Sequence, residues 1–222
     1  MLTLKFKWLA AIAFLLLAGF TAQAQGVSFG LRGGFDLQNI NGKDYGILEN
    51  SLVPRFNAGL VLEIPVAPDF FFQPGLLYST KGAKTDKLFG LENLAINYTL
   101  GYIELPLSFL YKPVLGNGRF FLGFGPYLGY GITGKAKYKL NSISYNEDID
   151  FTSEYNGSLQ LNKFKPFDFG ANVFFGYELA GGLSFQINTQ LGLVEINAEN
   201  TSNSTEASFK NAGFGISLGY RL

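Results

Sequence analysis

The amino-acid sequence predicts an all-β fold: an eight-stranded antiparallel up-and-down transmembrane β-barrel that follows a cleaved signal peptide. Two observations carry this prediction. Eight segments alternate between large apolar positions and polar or glycine positions with the two-residue period of a β-strand, and short and long connections alternate between them. The composition agrees, because 28 glycines and 16% aromatic residues among 222 are more typical of strands than of helices.

The first element is the signal peptide. Two lysines precede an apolar run over 9–20, and the small residues Ala22 and Ala24 mark a cleavage site. The alternative is an N-terminal membrane anchor, but the run is shorter than the roughly 20 residues that a spanning helix needs. We therefore expect a signal peptide at 1–24 and a barrel domain at 25–222. Cleavage leaves 15 basic and 17 acidic residues, a formal charge of −2.

The eight strands follow in order, each with one apolar row and one polar or glycine row. In the last segment, for example, Phe214, Ile216 and Leu218 alternate with Gly215 and Ser217. Strands of about 10 residues in an even number suit an outer-membrane barrel. The predicted segments are 27–38, 54–65, 69–81, 96–112, 118–134, 164–179, 182–194 and 208–222.

The connections predict which end of the barrel faces which compartment. Short links lie near 66–68, 114–117 and 180–182, and long polar links lie near 39–53, 82–95, 135–163 and 195–207. In outer-membrane barrels the short turns face the periplasm and the long loops face the outside. Both termini are therefore expected on the periplasmic side.

The direction of the apolar row separates a membrane barrel from a soluble lipocalin or sandwich. In a soluble protein this row fills the interior, whereas in a membrane barrel it faces lipid. The opposite row of the fifth segment holds Gly123, Gly125, Gly129 and Gly131, which have too little bulk for a soluble core. We therefore expect the apolar row to face lipid and the small row to face the lumen.

Alternation places ten charged side chains in the lumen, five of each sign. Charges removed from water need partners, and equal numbers allow pairing. These residues could form an ion or proton path, or a network of ion pairs that plugs the barrel. The plug is favoured because an eight-stranded lumen is just wide enough for side chains to fill. The ten residues are Arg32, Asp36, Arg55, Glu63, Lys81, Glu104, Arg119, Asp168, Glu178 and Arg221.

Aromatic residues near the strand ends lie on the outward row, where interfacial girdles form. A platform for stacking nucleic-acid bases would need basic residues between the rings, and this row has almost none, so no nucleic-acid partner is expected. The residues are Phe70, Phe72, Tyr78, Tyr111, Phe120, Tyr130, Phe167, Tyr177 and Tyr220.

Six motifs in order resemble the PorT-like outer-membrane β-barrel family of Bacteroidota. They are FGLRGGFD at 29–36, GLVLEIP at 59–65, FQPGLLYSTKG at 72–82, YIELPL at 102–107, GPYLGY at 125–130 and LGYRL at 218–222. The resemblance implies a small eight-stranded barrel. The founding member is an accessory of type IX secretion and gliding, and most relatives have no assigned activity.

The last strand also resembles the terminal strand that the barrel-assembly machinery recognises. Gly215, Leu218, Tyr220 and Leu222 form this expected assembly signal, with leucine where the usual final residue is aromatic. We expect outer-membrane lipid and the assembly machinery as partners of a monomeric barrel. A further partner, extracellular or from a secretion system, would bind through the loops.

The residue types absent from the sequence argue against an enzyme. The chain has no cysteine and no histidine, so it lacks the His general base that outer-membrane phospholipases, deacylases and omptin-like proteases share. No cofactor is expected. In the longest loop, Glu147, Asp148 and Asp150 could bind Ca²⁺ or form a recognition surface, but a solvated loop, extended as a hairpin, is favoured.

Overall fold

Eight long antiparallel strands form the body of the protein. The computed structural model describes residues 26–43, 48–88, 94–140, 143–155, 162–200 and 208–222, so the expected signal peptide lies outside the described residues. In this part of the chain, no helix has the length and apolar character required to cross a membrane. We number the long strands β1 Ser28–Lys43, β2 Val53–Ala67, β3 Phe70–Lys81, β4 Leu94–Tyr111, β5 Gly118–Leu140, β6 Phe167–Glu178, β7 Leu183–Gly192 and β8 Ser208–Arg221.

The strands close into a barrel. Each pairs antiparallel with the next, and β8 returns to pair with β1, where Phe35 lies opposite Ile216. Closure leaves no long strand with an unpaired edge, which a barrel in lipid requires. The predicted all-β barrel is confirmed, and most strand bounds agree with the predicted segments within a few residues.

The two rows face as the alternation predicts. Phe35 and Ile216 on the outward row are 72% and 64% exposed, whereas Lys81 and Asp168 on the inward row are buried. At the two ends of the outward row, aromatic rings pair across strands. The ring centroids of Phe70 and Tyr111 are 4.9 Å apart at one end, and those of Tyr130 and Phe167 are 5.1 Å apart at the other. Lipid therefore takes the place of a hydrophobic core around the barrel.

The interior row is bulkier than its glycines suggest. Phe121 and Tyr127 share the inward row of β5 with the four glycines and are buried. A Cβ on Gly123 would come within 2.3 Å of the Phe174 ring. Aromatic rings thus occupy lumen space left by glycines on neighbouring strands, and the glycine row faces the lumen as expected.

Strand β5 continues well beyond the membrane, contrary to the predicted end at residue 134. It spans 23 residues, where a tilted membrane strand needs about 9–11, and it turns into a hairpin with Ile143–Asp148. A bulge near Gly131 changes which residues face inward, so Ala136 and Tyr138 are buried. The loop favoured as an extended hairpin does form one in its described part.

An apolar core closes the extracellular end above the membrane. Inward residues of the strand extensions pack against loop residues that cross the mouth of the barrel on the short strands Asp150–Phe151 and Lys163–Phe164, which pair with each other in parallel. Its buried members are Ile40, Ala83, Ile96, Tyr98, Leu100, Tyr102, Ala136, Tyr138, Ile149, Phe164 and Ile196.

Candidate functional site

The lumen contains the charged side chains, and the layer nearest the periplasm centres on Lys112. Its Nζ donates to Oε1 and Oε2 of Glu63 at 2.9 and 2.7 Å and to Oε2 of Glu178 at 2.6 Å. Arg221 Nε donates to the other oxygen of Glu178 at 2.9 Å, and Gln73 Nε2 donates to Glu63 at 3.2 Å. Lys112 is 2% exposed and both carboxylates are buried, whereas the Arg221 side chain is 39% exposed. The layer is thus a balanced set of two cations and two carboxylates that reaches water on the Arg221 side.

Lys112 was missed by the sequence analysis, although a signal for it was present. It follows the last residue of β4 and lies four two-residue steps beyond Glu104, so it has the same parity and points into the lumen. The predicted segment 96–112 includes Lys112, but the ten predicted lumen residues do not. Following the two-residue alternation to the last residue of that segment identifies Lys112 as a lumen residue.

Arg119 differs from its predicted place in the lumen network. Its guanidinium donates to Oδ1 of Asp69 at 3.4 Å and to the carbonyl of Lys112 at 3.0 Å, and the two charged side chains are 37% and 41% exposed. Arg119 is the second residue of β5, next to a periplasmic turn, so its side chain reaches the rim and water. This ion pair is therefore worth little compared with the buried ones.

An aromatic layer lies above the periplasmic charges. Leu110, Phe121 and Phe174 are buried together, with Phe71 packed against them. The rings of Phe121 and Phe174 meet edge to face with centroids 6.3 Å apart. This layer fills one side of the lumen with apolar side chains, which provide no partner for an ion. A cavity of about 40 Å³ lies beside it, lined by Leu110 and Phe121 and reaching from Glu63 to Arg32.

The middle of the lumen is polar and contains Arg32 and Asp36. Asn57 and Asn188 donate their amide N–H groups to the two oxygens of Asp36 at 2.6 and 2.7 Å. Arg32 is half-buried, and its Nε is shielded from solvent without a hydrogen-bond partner among the described residues. Two cavities of about 40 and 30 Å³ adjoin Arg32. A water needs about 10–15 Å³, so each cavity fits a few waters at most.

The uppermost charged layer centres on Lys81. Its Nζ lies 2.9 Å from Oδ2 of Asp168 and 3.0 Å from Oε2 of Glu104, and it sits 4.0 Å from the centre of the Tyr127 ring. Tyr127 and Asn211 also donate to Asp168, at 3.2 and 2.9 Å. A cation between two carboxylates, with neutral donors on the outside, is the arrangement expected of a buried ion-pair cluster.

Arg55 contacts backbone and amide oxygens. It donates to the carbonyls of Lys81 and Tyr98 at 3.3 and 2.6 Å and to Oδ1 of Asn97 at 2.8 Å. Strand β3 ends at Lys81, and the guanidinium lies beside this end, where it satisfies a carbonyl of β3 and one of β4. The expected pairing of Arg55 with a lumen carboxylate is therefore replaced by contacts to oxygens of β3 and β4.

The expected assembly signal lies along β8. Leu218, Tyr220 and Leu222 face outward, Leu222 with 72% exposure. Gly215 faces the lumen, where a Cβ would come within 2.3 Å of Oδ1 of Asp36. The glycine at this position is thus required by the close approach of a buried carboxylate, whatever its role in assembly.

The extracellular loops hold acids that have partners or are solvated. Within the described ranges, no group of three or more potential metal-binding side chains is found. Asp150 pairs with Lys163, and Glu199 pairs with Lys165 at 2.7 Å. The hydrogen bond and charge of Lys165 lower the pKa of Glu199 below its usual range. Burial raises the pKa of Tyr138 to about 12, with Glu147 contributing.

The comparisons with known proteins point to outer-membrane barrels. The family described as Outer membrane protein beta-barrel domain matches residues 22–198. Solved structures similar to the chain include Neisserial surface protein A at 10% identity, covering 89% of this chain and 99% of that one with a TM-score of 0.47. Ail of Yersinia pestis is 11% identical, with 88% of this chain and 98% of that one covered and a TM-score of 0.44. OprG of Pseudomonas aeruginosa is 14% identical, with 88% and 95% covered and a TM-score of 0.40. No curated protein matches.

Proposed function

This chain belongs to the Outer membrane protein beta-barrel domain family and lies in the outer membrane, and from that premise we propose that it is a monomeric, non-catalytic barrel with a closed lumen whose extracellular end binds a protein partner. Family and fold leave open what such a barrel does. The contents of the lumen and the structure of its outer end support the proposal.

The observation that carries the closed lumen is the succession of filled layers. From the periplasm outward these are the Lys112 cluster, the aromatic layer around Phe121, the Arg32 region with its small cavities, the Lys81 cluster and the extracellular apolar core. A hydrated ion would have to displace buried ion pairs in two layers and pass the apolar side chains between them through a cavity of about 40 Å³. Each of these steps is costly in a water-poor interior.

A catalytic role is disfavoured by the same contacts. The lumen carboxylates Glu63, Asp168 and Glu178 bind cations and neutral donors. The cavity of about 40 Å³ beside Glu63 and Glu178 is too small for a substrate, and the larger one of about 270 Å³ beside Glu178 is lined mainly by residues of two periplasmic turns. The sequence contains neither histidine nor cysteine to serve as a base or nucleophile. The charged residues are therefore proposed to hold the barrel shut and keep it rigid.

A binding role is supported by the extracellular end. The extension of β5, its hairpin with Ile143–Asp148 and the strands that cross the mouth give this end a buried core of its own. A surface that is already ordered loses less conformational entropy when a partner binds. Loops held on a rigid barrel are also where binding residues concentrate.

Planar-bilayer recording of the refolded protein tests the closed lumen. We expect no reproducible conductance steps, and none from the neutralising variants Arg32→Gln and Glu104→Gln. Stable conductance of the unmodified protein that is lost in either variant would establish a narrow channel lined by these residues and would refute the closed lumen.

The resemblance to the PorT-like family favours one class of partner, a component of a secretion or gliding apparatus. Deleting the gene and measuring surface export and motility tests this role. Impaired export, restored by the full-length gene and not by a version with the hairpin of 135–148 shortened to a tight turn, would support it. Unchanged export and motility would remove this class of partner and leave an extracellular one.

A further inference from the structure

The hairpin of β5 presents a row of lysines for which the proposed function gives no role. Lys135, Lys137 and Lys139 are exposed and lie at every second position, so all three point to the same side of the sheet. The residues between them, Ala136 and Tyr138, are buried in the extracellular core. The lysine row therefore faces away from the barrel axis, on the side that faces lipid further down the strand.

The row begins where the apolar surface of β5 ends. Tyr130 and Ile132 are outward and about half exposed, and Tyr130 belongs to the aromatic pair that marks the extracellular boundary of the lipid-facing surface. Lys135 is the first charged residue of β5 beyond that boundary. At about 3.4 Å per residue, Lys135 to Lys139 span about 14 Å of the strand, starting just beyond the apolar surface on the side of the outer leaflet.

The neighbours of Lys137 and Lys139 leave their charges unbalanced. On β4, Asn97 lies opposite Lys137, and in the returning strand of the hairpin Asn146 lies opposite it. Lys139 lies between Ala95 and Ser144. Of the six residues opposite the three lysines, one is acidic: Asp148, opposite Lys135.

Two other lysines of this end, Lys163 and Lys165, provide a contrast. Lys163 pairs with Asp150, and Lys165 pairs with Glu199, so their charges are met within the protein. Arg55, by contrast, donates to Oδ1 of Asn97 and places a fourth cation beside the row. Lys135, Lys137 and Lys139 thus place three positive charges on a sheet face that continues the lipid-facing surface.

From this placement we propose that the Lys135–Lys137–Lys139 row binds the phosphorylated headgroups of outer-leaflet glycolipid. Lysine is a flexible point charge suited to phosphate, and a basic cluster next to an anionic membrane surface contributes about 1 kcal/mol per residue. The contact would fix the height and tilt of the barrel and brace the hairpin that carries the extracellular core. This role is independent of whether a protein partner binds the loops.

The test uses the full mature barrel refolded into phosphatidylcholine vesicles that contain increasing mole fractions of diphosphoryl lipid A. The readout is the unfolding midpoint, measured from the mobility of folded and unfolded bands on unheated gels. We expect the midpoint to rise with lipid A, and the K137Q/K139Q variant to need about a thirtyfold higher mole fraction for half the rise. The K137R/K139R variant keeps both charges and should titrate as the unmodified protein does.

Two controls separate this site from bulk charge and from acyl-chain effects. The K163Q/K165Q variant loses the same charge from the same end and should keep the response of the unmodified protein. Lipid A from which both phosphates have been removed should give no rise. The proposal is overturned if K137Q/K139Q responds like the unmodified protein, if K163Q/K165Q loses the response equally, or if dephosphorylated lipid A is equally effective.

Discussion

Replacing Lys112 with methionine should be among the most destabilising single changes in the barrel. Methionine keeps a similar unbranched shape but removes the ammonium that contacts Glu63 and Glu178 at 2.6–2.9 Å. Breaking a buried ion pair by removing one partner costs about 3–5 kcal/mol, because a charge remains buried without compensation. With a urea m value of about 2 kcal/mol per M, a loss of about 4 kcal/mol lowers the unfolding midpoint by about 2 M.

The two carboxylates keep different partners when the Lys112 ammonium is removed. Glu178 keeps Arg221 at 2.9 Å, whereas Glu63 keeps only the neutral amide of Gln73 at 3.2 Å as a donor among the described residues. K112M/E63Q should therefore recover more stability than K112M/E178Q. Urea titration in phosphatidylcholine vesicles, followed by gel mobility and circular dichroism, measures each variant. A loss below about 1 kcal/mol in Lys112→Met would refute the reasoning.

Two further changes probe packing and charge. Gly123→Ala should lower the free energy of unfolding in urea titration by about 1–3 kcal/mol, because its Cβ would lie 2.3 Å from the Phe174 ring. Phe174→Leu in the same chain should restore part of this stability. Gly181→Ala, whose Cβ would meet nothing within 4 Å, should change the stability little. Because the pKa of Glu199 is lowered, its pair with Lys165 stabilises the loop fully at a pH above the ordinary glutamate pKa. This stabilisation is lost as the pH falls through the lowered pKa. Carbon-13 NMR titration should show the Glu199 pKa rising in Lys165→Gln; an unchanged pKa would contradict the pair.

Much of the barrel could be predicted because lipid and lumen impose a strict two-residue period. The outward direction of Phe35 and the inward direction of Asp168 follow from alternation alone. Alternation also places Lys112 in the lumen, provided that the period is followed one residue beyond the end of β4. What alternation cannot give is the choice of partner: Lys81 could meet any inward carboxylate nearby, and only strand register and tilt bring it to Glu104 and Asp168.

The extracellular end was predicted less well because its order comes from long-range contacts. Ile149 and Ile196 lie in polar segments without a regular period, and they are buried because they meet across the mouth of the barrel. The bulge near Gly131 reverses the parity of β5, so a period extended from the membrane would have placed Tyr138 on the wrong side. Arg55 shows the same limit, since its role depends on β3 ending at Lys81.

The sealed lumen is tested most directly by the reactivity of a single cysteine, for which this cysteine-free chain is well suited. Ser108 faces the middle of the lumen and is 1% exposed, whereas Ser144 is exposed on the extracellular hairpin. Ser108→Cys and Ser144→Cys are refolded into vesicles and treated with a membrane-impermeant maleimide. We expect rapid labelling of Ser144→Cys, and labelling of Ser108→Cys only after unfolding in urea. Labelling of folded Ser108→Cys at a rate similar to that of Ser144→Cys would show a water-filled passage and contradict the closed barrel.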